Sequence, residues 1–94
     1  MIISLTEAKE YLHVDGNSED ATIETLLKSA QNLCMDVARI DDESEFDAAG
    51  DISKTAVLYA LGCFYDHRGD TDLDLQLITL ILRSLLFGIR RAAF

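Results

Sequence analysis

No proline interrupts these 94 residues, and only five glycines do. Proline and glycine are the residues that most readily end a helix, so a chain this poor in both can run long helical stretches unbroken. Its apolar residues are mostly Leu, Ala and Ile, which favour helix over strand. The length fits one domain, residues 1–94. A chain this short has a limited core, so association with other chains is a common supplement to its stability. An apolar content of 49% excludes general disorder.

Apolar spacing predicts an all-α bundle of four helices: one short and N-terminal, a long amphipathic second, a buried third and an apolar fourth. The first runs over 5–12. Ser4 followed three residues later by Glu7 has the capping-box pattern, and His13 to Asn17 read as a stop and a turn, with Gly16 able to take a positive φ. The second runs over 19–40, with Asn17 or Ser18 as its cap. Ile23, Leu26, Leu27, Ala30, Leu33, Cys34, Val37 and Ile40 fill one arc of about 140° at about 100° per residue. The third runs over 52–67. Its apolar residues point almost all round the axis, which predicts a central helix packed from several sides. Gly69 is placed to cap its end.

Between the second and third helices, residues 41–51 read as an acidic, solvated linker in which only Phe46 offers an anchor. Its acids Asp41, Asp42, Glu43, Glu45 and Asp47 are candidates for a channel or partner contact. The whole chain carries 17 acids against 8 bases, a net charge of −9, and the imbalance lies in residues 1–50, with twelve acids against three bases. A nucleic-acid binder works by releasing phosphate counterions with Lys and Arg, so direct DNA binding is disfavoured. The plainer role of the acids is a solvated surface that keeps the chain soluble.

The residues offer little chemistry. Asp70, Asp72 and Asp74 have the spacing of the first three EF-hand ligands, but Leu75 stands where the loop needs glycine and Ile81 where it needs glutamate. Asp41, Glu43 and Glu45 fail in the same way, at Phe46 and Ile52. His13 and His67 have no Cys or His at metal-binding spacing. Cys34 and Cys63 fall in apolar helical stretches and read as buried free thiols. There is no phosphate-binding glycine loop and no nucleophile motif. No catalytic, cofactor or metal site is expected. The first residues lack the features of a signal peptide, which suits a cytoplasmic origin.

The fourth helix, over 74–91, carries the strongest functional signal. Its apolar residues leave a polar sliver of only about 60°, made of Gln76, Thr79, Arg83 and Arg90. Leu80 and Phe87 lie across that sliver from the main stripe. Three partner helices in one small chain can hardly cover so wide an arc, and an exposed remainder would be the kind of patch that marks an interface. Leu77, Leu80, Ile81, Phe87 and Ile89 are the expected contact residues, with Arg90, Arg91 and Phe94 as a tail that orders on assembly. The segment is too short and interrupted to span a membrane. A basic end opposite an acidic half also permits head-to-tail contact between identical subunits.

Residues Ile3 to Leu12, then an acidic turn, then Ala21 to Leu27, resemble the opening of tailed-phage head–tail connector (adaptor) proteins, a family also labelled phage DNA-packaging proteins. Ala56 to Gly69 resemble the same family's apolar helix with its aromatic, acid and arginine finish. The likeness covers most of 1–69. The chain departs from the family in lacking proline and in the acidity of 41–51. The resemblance implies a subunit of a dodecameric ring beneath the portal protein. Such a ring extends the channel through which DNA passes and seats a stopper or tail-completion protein. It implies no cofactor and no membrane, with the protein in the host cytoplasm before assembly and at the virion head–tail junction after it. The competing expectation is a small acidic regulatory module, DNA-mimicking in charge, that docks on a basic protein.

Overall fold

The computed structural model describes residues 1–67 and 74–87. Within them the chain forms five helices and no strand: α1 (Leu5–Leu12), α2 (Asp20–Ala38), α3 (Glu43–Ala48), α4 (Asp51–Asp66) and α5 (Leu75–Leu86). The all-α bundle is as the spacing predicts, with α3 as an addition. Gly69, Asp70 and Asp72 lie outside the described residues.

Local chemistry sets the ends of α1 and α2. The Ser4 hydroxyl accepts from the Glu7 amide at 3.1 Å, and the Ser4 amide donates to Glu7 Oε1 at 3.1 Å. These reciprocal bonds complete the capping box and satisfy amides that a helix start leaves without partners. At the other end His13 takes the left-handed conformation (φ 59°), its amide reaching Glu10 and the Val14 amide reaching back to Lys9. Arg39 repeats the device after α2 (φ 59°), with the Arg39 amide bonded to Asp36 and the Ile40 amide to Met35. Both are Schellman endings built on a residue other than glycine. The second turns the chain back so that Ile40, expected as the last residue of the helix, is buried just beyond it.

The start of α2 corrects the expected cap. Glu19 occupies the cap position and makes no capping bond with its side chain. Asn17 instead accepts from Lys9 Nζ at 3.2 Å, and Lys9 also lies 2.8 Å from Asp20 Oδ1. One lysine thus ties the end of α1 to the start of α2. Glu19 is used across the bundle, where it accepts from the Tyr65 hydroxyl at 2.5 Å.

Helix α4 is the hub. It packs against each of the other four helices, which explains why its apolar residues point in all directions. The core joins Ile23, Leu27, Ala30 and Cys34 of α2 to Ala56, Val57, Ala60 and Leu61 of α4, with Ile2 and Ile3 from the N-terminal segment. Helix α5 rests on α4 and α2.

The acidic linker is a helix in its middle. Asp42 caps α3 by accepting from the Ser44 amide at 2.9 Å, and Phe46 is completely buried. The Ser53 hydroxyl, also buried, donates to the Phe46 carbonyl at 2.6 Å. A single large side chain and one buried hydrogen bond therefore hold this segment against α4. Its acidic composition conceals the anchoring because the acids all lie on the outer side.

Candidate functional site

Helix α5 has two apolar faces. Asp74 caps it, its Oδ1 accepting from the Leu77 amide at 3.1 Å. Ile78, Leu82 and Leu86, four residues apart, form one row and are buried against α4 and α2. Leu77 (54% exposed), Leu80 (57%) and Phe87 (80%) project from the opposite side into water. At about 100° per residue their mean direction is nearly opposite the buried row. Ser84 shares that outer face and turns its hydroxyl back onto the Leu80 carbonyl at 3.3 Å.

Of the expected contact residues, Leu77, Leu80 and Phe87 are thus exposed together, while Ile81 is half-buried at the flank. Ile89, Arg90, Arg91 and Phe94 lie outside the described residues. Spacing alone did not single out Leu75, Leu85 and Ile52, which are also exposed. Ile52 and Leu85 line a shallow groove with Asp51 and Thr55, joining the first turn of α4 to the α5 face. A clue was present in the sequence: Ile52 opens a helix too apolar for one buried face, and Leu85 sits between the two rows of α5.

The acids at 41–47 divide by role. Asp41, Asp42, Glu43, Glu45 and Asp47 are all exposed, yet Asp42 caps α3 and Glu43 closes a latch. The Met1 amino group lies 2.9 Å from Glu43 Oε1, and Gln31 Nε2 donates to Glu43 Oε2 at 2.9 Å. The buried Gln31 uses its oxygen to accept from the Ile2 amide, also at 2.9 Å. The amino group and the amide hold the Glu43 carboxyl below its ordinary value. Two of the five candidate contact acids therefore stabilise the fold itself.

Cys34 is buried and free, and burial pushes its thiol up to about 12, away from any nucleophilic role at neutral pH. Cys63 is half-buried, and its contact with Tyr59 on the next turn raises the Tyr59 hydroxyl. His13 ends α1 and His67 ends α4. Among the described residues no group of three His, Cys, Asp or Glu side chains could hold a metal ion, and no helix is long and apolar enough to cross a membrane. No protein-family model matches this chain, and no curated protein or solved structure does.

Proposed function

We propose that this protein is a structural subunit of a phage head–tail connector ring, attaching to the portal and extending the DNA channel, and that it acts by assembly rather than catalysis. The observation that supports this most directly is the outer face of α5. A helix buried along one side and apolar along the other leaves on the surface a patch of the kind that normally joins two bodies. The resemblance of 3–12, 21–27 and 56–69 to connector proteins suggests which assembly is meant. The charge suits it too: a ring of subunits carrying −9 each repels phosphate and lets DNA slide without sticking. Asp41, just before the cap of α3, and Asp47, near its end, are exposed and are candidates for the channel or portal surface. A stopper or tail-completion protein would dock on the far side of the ring. The expected location is the host cytoplasm before assembly and the virion head–tail junction after it.

The test is reconstitution. The full chain is mixed with the portal assembly of the same phage and imaged by negative-stain electron microscopy. A ring capping the portal, lost in Leu80→Asp, is the expected result. No binding by the wild-type chain at any concentration refutes the reading. A tight one-to-one complex with a small basic protein would instead identify an acidic regulatory module.

A further inference from the structure

Eight large apolar side chains are exposed among the described residues. Six of them, Ile52, Leu75, Leu77, Leu80, Leu85 and Phe87, lie on α5 or on the first turn of α4 beside it, and only Met1 and Tyr11 lie elsewhere. We propose that a second copy of this chain covers the outer face of α5, carrying Leu77, Leu80 and Phe87, with α5 packed antiparallel against its counterpart about a two-fold axis.

Four observations converge on a second copy. The outer row Leu77, Leu80, Ser84 and Phe87 is spaced three, four and three residues apart. This is the narrow seam that another helix fills with knobs in holes, so the occupant is helical. From Leu75 to Phe87 the only charged side chain is Arg83, and there is no acid. On a protein of net charge −9, this is the surface across which two copies repel each other least. Among the described residues Met1 and Tyr11 alone do not make a second such patch, so a contact that buries described apolar surface on both copies sets this face on itself. Such a contact is isologous and closes as a dimer. Finally, Leu77, Leu80 and Phe87 are all more than half exposed and together present on the order of 350 Å² per copy, within the range of functional patches on monomers. Two such rows cover about 700 Å², and the polar flanks of α5 supply the remainder of the roughly 1,200 Å² at which stable interfaces begin.

The register follows from the seam. An antiparallel pair centred near Leu82 sets Leu77 opposite Phe87 of the second copy and Leu80 opposite Ser84, large against small. It also opposes the two helix dipoles, which a parallel pair would align. The pairing stands on α5 and not on the connector reading. It describes how free subunits keep the face dry until another surface competes for it.

Sedimentation equilibrium of the full, reduced chain between about 1 μM and about 1 mM tests the proposal. A monomer–dimer equilibrium that tightens with added salt is expected. Leu80→Asp, at a site already exposed in the protomer, should weaken it at least about 100-fold while leaving helicity and thermal unfolding of the monomer unchanged. Ser84→Leu adds an apolar side chain at both symmetric positions and should tighten it at least about tenfold. A monomer throughout, a dimer indifferent to both variants, or rings formed without a dimer would overturn the pairing. A dimer that ignores portal sinks the connector reading alone. Portal binding by a chain that never dimerises sinks the pairing alone.

Discussion

Replacing Phe46 with alanine separates a structural α3 from a solvated tether. Phe46 is completely buried, although its helix has only six residues and four of those are exposed acids or serine. The substitution removes on the order of 150 Å² of buried apolar surface, which at roughly 25 cal/mol per Å² is about 4 kcal/mol of lost transfer energy. A denatured chain that already shelters part of the ring lowers this figure, and the cavity left behind raises it, so a loss of about 3–4 kcal/mol is expected. A 94-residue domain has roughly 5–14 kcal/mol of stability in all, so the loss is a large share of the total. Urea unfolding followed by circular dichroism reads it as a lower midpoint at unchanged slope. Native-state amide exchange should show protection falling first across 43–53, where the Ser53 hydroxyl bonds the Phe46 carbonyl. A cost under about 1 kcal/mol would place Phe46 on the surface and refute the packing described for α3.

Two further substitutions probe the bundle. Glu43→Gln tests the latch: the folded state holds this carboxyl below its ordinary 4.5, so its contribution is present above that value and is lost as the pH falls through the lowered one. The gap in urea midpoint between wild type and variant should be widest near neutrality and close as the pH drops below about 4.5; a gap that ignores pH shows the latch to be electrostatically idle. Gly62→Ala removes a flexible residue from the interior of α4, a gain of about 1 kcal/mol, against a new Cβ placed 3.3 Å from the Tyr11 ring. Tyr11 is 46% exposed and has room to swing outward, so a net stabilisation of about 0.5 kcal/mol is expected in thermal unfolding, and a loss of 1 kcal/mol or more would show that the ring is fixed.

The sequence disclosed the parts of this fold that are written as periodicity or as short-range caps. The Ser4–Glu7 pair, the stripe from Ile23 to Val37 and the all-round apolar α4 could be read directly because each follows from helix geometry. The helix α3 could not, because six residues are too few to show a period and its acids outvote the one aromatic that decides its packing. The cap of α2 was misplaced for a different reason. Asn17 has the right chemistry, but Lys9, eight residues earlier, claims its oxygen, and no local rule anticipates that. On the candidate surface, the excess apolar arc of the last helix was legible, and so were Leu77, Leu80 and Phe87 within it. That Ile52 extends the surface, and that Glu43 is engaged internally, depended on which helices become neighbours.

The position of α4 in the bundle bears on how the protein comes apart. Every other helix leans on it, although α1 and α5 also rest on α2. Loosening α4 therefore strips a shared wall from α1, α2, α3 and α5 together and opens the core that joins it to α2. Melting should accordingly proceed as a single all-or-none event, with backbone and aromatic signals changing along one common curve.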